Sequence, residues 1–410
     1  MLKNTQKIAN GCYLCINFQT QSMENIFNNT EVAFAVKSDK ELKRAKFLFE
    51  MISSPTMVKI GTKLTALALN FHLPVKGIIR STVFDHFCGG ETEEECMRVV
   101  NKMYAKGVTS VLDYSVEGKE EEKEFDKAVQ VTLKTIEYAK KNQGIPIVVF
   151  KPTGFGRFGL YEKIGEGKPL TEQEQKEWSR VVERYDLVCR TSYKNNIIIL
   201  IDAEHSWMQD AADDLIEEMM SRYNKEKTIV FGTLQMYRWD RMEYLKALHQ
   251  RAKQKGFHIG MKIVRGAYME IEAARAKEKG YKNPICESKE ATDINYDNAI
   301  VYMMKHIEEM GIFAGTHNEE SSLKLINLAK ENGLLVDDRR IWFGQLYGMS
   351  DNISFNLGNK GYNVAKYLPF GPVRDVMPYL IRRAEENTSV AGQTGRELAL
   401  INKEIKRRKL

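Results

Sequence analysis

Between residues 107 and 380 the chain carries eight short apolar runs, each followed by a helix-like stretch, and nearly every unusual polar residue lies just past the end of one. The runs are Gly107 to Ser115, Pro146 to Phe150, Ile197 to Ile201, Thr228 to Phe231, His258 to Val264, Ile312 to Thr316, Ile341 to Gln345 and Asn363 to Tyr367. Strand-like runs alternating with helical segments imply right-handed crossovers and a parallel sheet. Eight such units over roughly 250 residues predict an α/β fold closed as a (β/α)8 TIM-type barrel, because closure takes eight strands and about that length. The competing fold is an open doubly wound sheet. It would favour a G-x-G-x-x-G after the first strand, and none is present.

With 410 residues, 43% of them hydrophobic and 28% charged, the chain can bury an ample core. Its organisation reads as an N-terminal helical region over 1–105 and a barrel over 106–410. Asp39 to Ser53 and Ile60 to Phe71 place apolar residues at mixed three and four spacing. Thr92 with Glu95 predicts a capping box, and Gly107 lies where the helix from Glu93 to Lys106 should end. Glu117 to Glu124 is almost all charge, and Glu166 to Lys168 with Thr171 opens another capped helix; both read as solvated boundaries. No internal repeat beyond the βα unit and no low-complexity tract is visible.

Lys plus Arg number 61 against 55 Asp plus Glu, a formal charge of +6 spread over most of the chain, so no nucleic-acid face is expected. The densest basic block, Lys403 to Lys409, reads as a solvated helix end. No run approaches the ~18 apolar residues of a transmembrane helix, and the first thirty residues show neither a secretory signal nor an arginine-rich transit pattern. Cytoplasmic residence is expected, with at most peripheral contact at an inner membrane. Six cysteines are too few for a disulfide scaffold, and the Cys12/Cys15 C-x-x-C lacks a second pair or a histidine pair to complete a zinc site.

A barrel concentrates its chemistry at the C-terminal ends of its strands. Lys151 closes run two and Asp202 run three, Gln235 follows run four, Lys262 and Arg265 lie on or beyond run five, Thr316 and His317 end run six, and Tyr367 ends run eight. Each alone is an ordinary solvated or ion-paired residue; their shared position at one rim suggests a mixed-charge mouth. In the last helix Tyr379, Arg382, Arg383 and Glu386 are spaced 0, 3, 4 and 7, which sets all four on one face. Two guanidiniums aimed inward form a clamp for a carboxylate or phosphate, supported by Lys151. The alternative is an exposed Arg382–Glu386 pair, worth about 0.5 kcal/mol. The clamp predicts a small anionic substrate.

Longer strings carry a resemblance. KIVRGAYME at Lys262 to Glu270 and YLPFGPVRDVMPYLIRRAEEN at Tyr367 to Asn387 closely resemble signature segments of flavin-dependent proline dehydrogenases. IDAE at Ile201 to Glu204, LQMY at Leu234 to Tyr237, GTHN at Gly315 to Asn318 and FCGGE at Phe87 to Glu91 are similar to other motifs of that family, and the likeness runs from about Phe84 to the C-terminus. The resemblance implies a distorted barrel that binds FAD non-covalently, oxidises L-proline to Δ1-pyrroline-5-carboxylate and passes electrons to a membrane quinone. Carried over position by position, Lys151, Arg382 and Arg383 would hold the proline carboxylate, and Asp202 and Lys262 would be the catalytic pair beside the flavin. Ala203, Gln235, Lys262, Arg265, Gly266, Ala267, Thr316, His317 and Glu386 would contact FAD, while Tyr268, Leu346, Tyr367 and Tyr379 would wall the proline ring. Hydroxyproline-specific relatives resemble this pattern with Ser at the position of Tyr367, which implies proline over trans-4-hydroxyproline.

The chemistry agrees with the carry-over. Hydride transfer from an amine needs its donor carbon fixed at the flavin, so a carboxylate clamp at the far end supplies orientation. A cation such as Lys262 or Arg265 at the flavin edge raises its electron affinity. The amine must be neutral before hydride leaves; Asp202 either takes its proton or holds Lys151 in place. Two other classes compete. A metal or Schiff-base lyase would use Asp202, Glu204, His205 and His317, or Lys151, and a binding module would use the basic tail. Neither accounts for the two-arginine face.

Overall fold

The eight strands close into one parallel barrel in chain order: β1 (Thr109–Tyr114), β2 (Ile147–Phe150), β3 (Ile198–Ile201), β4 (Val230–Gln235), β5 (Ile259–Val264), β6 (Met310–Gly315), β7 (Ile341–Leu346) and β8 (Val364–Phe370). The seam between β1 and β8 runs from Thr109↔Ala365 to Tyr114↔Phe370. The computed structural model describes residues 26–54, 56, 77, 80–115, 120–389 and 393–410, without the side chains of 81, 384–389, 393 and 394. The Cys12/Cys15 pair and the Ile60 to Phe71 helix lie outside the described residues, as does part of the charged run after Glu117.

Strand side chains alternate between faces, so one residue in two points into the barrel. Val111, Ile147, Val149, Leu200, Phe231, Phe313, Trp342, Ala365 and Tyr367 form that interior cluster. Glycines on the same face make room for its largest members. A Cβ on Gly260 or Gly311 would lie 2.7 or 2.8 Å from the Phe231 ring, and one on Gly344 would overlap Phe313. Phe231 thus fills the space two strands leave open, and truncating it to Ala would cost roughly 3–5 kcal/mol. Two residues further along several of these strands, the same face changes character. Val111 is followed by Asp113, Val149 by Lys151, Leu200 by Asp202 and Gly260 by Lys262. The apolar plug becomes a charged mouth in one step of the alternation.

The larger apolar cluster lies between the outer face of the strands and the helices that cover them. The Asp39–Ile52 and Glu172–Asn195 helices start with full capping boxes at Ser38 and Thr171. At the Glu93–Tyr104 helix only half the expected box forms. Thr92 accepts from Glu95 N at 3.3 Å, while the Glu95 carboxylate turns to Glu91 N and Arg80. Gly107, just past that helix, has φ +75°, and a Cβ there would sit 2.6 Å from the Gly358 carbonyl oxygen.

Two sequence readings change. Tyr367 does not end its strand, because β8 continues to Phe370 and leaves the ring inside the barrel. The Val373–Ser389 helix with the two arginines is followed by another, Gln393–Arg407, so it is not the last. That final helix sets Leu400 and Ile401 against Phe34, Leu42 and Phe49 of the N-terminal helices. The basic block at its end is built into this contact: Arg408 donates to the Phe34 and Lys37 carbonyls at 2.9 and 2.8 Å and pairs with Asp39.

Candidate active site

The mouth centres on Asp202, just past β3. Lys151, just past β2, donates to Asp202 Oδ2 at 3.1 Å, and Lys262 from β5 donates to Asp202 Oδ1. Lys151 also reaches Asp113 of β1 at 3.3 Å, and Lys262 donates to the Tyr367 hydroxyl at 2.9 Å. Two cations and two carboxylates therefore balance in one largely buried cluster. Burial pushes the Asp202 carboxyl up, but the Lys262 and Lys151 ammonium groups outweigh it and hold the group below its ordinary value. Burial pulls Lys262 down, with Asp202 acting against it. Tyr367, desolvated and facing Asp202, is held well above the usual phenol range.

Hydrogen bonds between rim loops fix this cluster. Glu204, two residues past Asp202, accepts from Thr153 N at 3.0 Å and Thr153 Oγ1 at 2.7 Å, which locks the Lys151 turn onto the β3 loop. Gln235, the last residue of β4, donates from Nε2 to the Glu204 carbonyl at 2.7 Å. Its Oε1 is buried with no hydrogen-bond partner among the described residues. Glu272, fully buried, accepts from Ser206 N and Oγ at 2.7 and 2.5 Å and so joins the loop after β3 to the helix after β5.

On the far side Arg265, just past β5, bonds Asp293 at 2.5 Å, Thr316 Oγ1 at 2.8 Å and Ser321 Oγ at 3.1 Å, with its guanidinium 4.4 Å from the Tyr296 ring centroid. Gly266 and Ala267 follow, exposed at the rim, and Ala203 is half-buried beside Asp202. His317 bonds Ser350 Oγ at 2.9 Å through Nδ1, and burial together with the charges of Lys366, Arg383 and Arg265 lowers its imidazole to about 3.

The Val373–Ser389 helix supplies the remaining wall. Tyr379 is buried in an apolar cluster with Val376 and Leu380, against which Leu346 of β7 packs. Leu346 also packs against the interior cluster that holds Tyr367, so it links the two tyrosines. Arg383 lies 5.4 Å from the Tyr379 ring centroid, and Arg382 precedes it, half-buried. The Glu386 side chain lies outside the described residues. Tyr268 sits across the mouth with its ring 4.5 Å from that of His205. FCGGE lies against the end of β8: Gly89 N donates to the Pro369 carbonyl at 2.9 Å, and Gly90 bridges Phe370.

A family model described as proline dehydrogenase matches residues 96–396, which span all eight strands and the Val373–Ser389 helix. The chain belongs to the proline dehydrogenase family. It is 36% identical over 333 residues to the carbapenem antibiotics biosynthesis protein CarD of Pectobacterium carotovorum subsp. carotovorum, covering 81% of this chain and 86% of that protein. To proline dehydrogenase 2, mitochondrial, of Arabidopsis thaliana it is 31% identical over 423 residues, covering 92% and 89%. Its fold is similar to a crystal structure of proline utilization A (PutA) from Bdellovibrio bacteriovorus inactivated by N-propargylglycine, with a TM-score of 0.68, 20% identity and 90% of this chain covered. The chain spans 37% of the length of that PutA chain.

In this proline dehydrogenase family member, Asp113 is the main residue that sequence reasoning passed over. The signal was present: Asp113 faces inward two places after Val111, as Lys151 does after Val149. A second buried cluster was also missed. Lys366, a neighbour of Tyr367 on the opposite face of β8, is fully buried, donates to the Met349 carbonyl at 2.6 Å and pairs with Asp351 at 2.8 Å, while Lys37 meets the other Asp351 oxygen at 3.1 Å. Glu397 of the final helix accepts from Ser350 N there. Among the described residues no helix is long and apolar enough to cross a membrane.

Proposed function

We propose that this proline dehydrogenase family member is an FAD-dependent enzyme that oxidises L-proline to Δ1-pyrroline-5-carboxylate and delivers the electrons to a membrane quinone. The observation that supports this reading most is the Asp113–Lys151–Asp202–Lys262–Tyr367 cluster. Such a buried ionic group is weak support for stability, and at a barrel mouth it points to chemistry.

The residues present fit a flavin. Gln235 Oε1 is a buried acceptor with no hydrogen-bond donor among the described residues, and Lys262 offers a cation in a desolvated position. In this reading Ala203, Gln235, Lys262, Arg265, Gly266, Ala267, Thr316, His317 and Glu386 hold the cofactor, which when bound supplies the two-electron acceptor. Lys151, Arg382 and Arg383 hold the substrate carboxylate; Tyr268, Leu346, Tyr367 and Tyr379 enclose the ring. The C–H bond beside nitrogen then breaks with its electron pair, the N–H proton departs, and a C=N bond forms. A carboxylate held below its ordinary pKa is a weak base, so Asp202 serves to fix the two lysines and solvent takes the amine proton. Residence in the cytoplasm with peripheral contact at the inner membrane, and a barrel unit beginning near residue 106, complete the proposal.

The metal-dependent lyase alternative loses support. The Glu204 carboxylate is occupied by Thr153, and among the described residues no three of Asp202, Glu204, His205 and His317 bring ligand atoms within 4.8 Å of one another. The visible spectrum of the purified protein, recorded anaerobically before and after L-proline, tests the proposal. Flavin bands that bleach with proline and hardly with trans-4-hydroxyproline are expected; a colourless protein that gains no proline activity from added FAD would overturn it.

A further inference from the structure

We propose that His249, His306 and Glu309 form a binding site for a divalent transition metal of the zinc class at the base of the barrel, remote from the mouth. His249 lies on the Arg241–Lys255 helix, His306 caps the C-terminus of the Lys289–Lys305 helix, and Glu309 immediately precedes the first residue of β6. All three therefore sit at the N-terminal end of the strands, the face of such barrels associated with stability rather than catalysis.

The geometry is that of a three-ligand site. The ligand atoms of the three side chains lie within 4.8 Å of one another. His249 Nε2 is 2.7 Å from Glu309 Oε2, and His306 Nδ1 is 3.9 Å from the same oxygen. A tetrahedral ion with ligand bonds of ~2.0–2.1 Å separates its ligands by about 3.3 Å, so each of these two distances needs to change by only roughly 0.6 Å. Two imidazoles and one carboxylate are a zinc donor set. The His249 side chain is buried, whereas Glu309 is 41% exposed, which leaves a water-accessible fourth position.

The surroundings supply the outer contact such a site uses. The Tyr302 hydroxyl lies 2.8 Å from His249 Nδ1. Coordination through Nε2 needs the ring proton on Nδ1, where the Tyr302 oxygen accepts it, and this fixes both tautomer and ring orientation. Lys253 Nζ, 3.3 Å from Glu309 Oε2, occupies part of the carboxylate. Its side chain is 45% exposed and can swing into solvent when a dication takes its place. The bound ion would clamp the helix before β5 to the turn before β6, adding to the His249–Glu309 and Lys253–Glu309 contacts that already join them.

The test uses the full chain without a polyhistidine tag, stripped with chelator and titrated with zinc chloride by calorimetry, in parallel with thermal unfolding. The expected result is about one zinc per chain and a rise in Tm, because a ligand that binds the folded state stabilises it by mass action. His306→Ala and Glu309→Gln, at partly exposed positions, are expected to unfold in chelator near the wild-type temperature and to lose the zinc-dependent rise. Tyr302→Phe keeps all three ligands and is expected to weaken binding roughly tenfold or more. Cobalt(II) in place of zinc should give visible ligand-field bands that vanish in His306→Ala, without the intense near-ultraviolet band of thiolate ligation. Wild type that takes up no zinc, or His306→Ala and Glu309→Gln that bind zinc as wild type does, would overturn the proposal.

Discussion

Lys262 is bound to Tyr367 in two ways: its Nζ donates to the phenol hydroxyl at 2.9 Å and lies 4.8 Å from the ring centroid. The two residues belong to β5 and β8, which are not neighbours in the sheet, so the contact spans the barrel interior. A tyrosine here both orients the cation and occupies space above the apolar plug.

Replacing Tyr367 separates those two effects. Tyr367→Phe keeps the ring and should lower kcat/KM for proline by roughly 10- to 150-fold at most, since a hydrogen bond to a charged group is worth about 1.5–3 kcal/mol. Tyr367→Ser removes the ring and opens the wall. The ratio of kcat/KM for trans-4-hydroxyproline to that for proline should rise in the serine variant alone, which steady-state kinetics on both substrates would show. Equal ratios in wild type and Tyr367→Ser would remove the wall role.

Asp202→Asn leaves Lys151 and Lys262 without their shared counter-charge. Breaking a buried pair in this way costs about 3–5 kcal/mol, so Tm should fall by several degrees and kcat/KM for proline by roughly a hundredfold. The sign of the pH effect follows from the lowered carboxyl. Its contribution is fully present above the ordinary carboxylate pKa and is lost only as pH falls through the lower folded value. The acid limb of the wild-type pH–rate profile near neutrality should therefore persist in Asp202→Asn. If that limb vanished, Asp202 would be the base.

Arg265→Ala removes the bonds to Asp293, Thr316 and Ser321 that tie the β5 rim to the β6 rim. In the proposed FAD site this should weaken flavin retention about tenfold or more. Fluorescence of flavin released on dilution measures it, and wild-type retention would take Arg265 out of the cofactor site.

Glu397 carries a pH dependence of opposite sign. Burial, with help from Asp351, raises its carboxyl from 4.5 to about 7. Below the unfolded value both states hold the proton. As pH climbs toward the folded value only the unfolded chain releases it, so stability falls across that window by on the order of 3 kcal/mol. Glu397→Gln mimics the protonated form and should flatten the loss. Tm measured at pH 5 and pH 7.5 should differ less in the variant than in the wild type; an unchanged difference would mean that the group is not titrating there.

The eight strands, their parallel order and the rim on which the chemistry gathers are all legible in the residue pattern. They are so because the two-residue alternation of a strand and the spacing of a helix face are local: Lys151 after Val149, or Arg383 four places after Tyr379, is visible without knowing any partner. The same pattern carries the motifs by which the family is recognised. Which side chains meet is a property of the folded chain. That Tyr367 reaches Lys262, that Asp113 shares Lys151 with Asp202, and that Arg408, just past the final helix, and Glu397 on it are built into contacts with the N-terminal helices and the loop after β7 all depend on how the closed barrel brings its elements together. Closure brings together residues scores to hundreds of positions apart, and no local spacing encodes those distances.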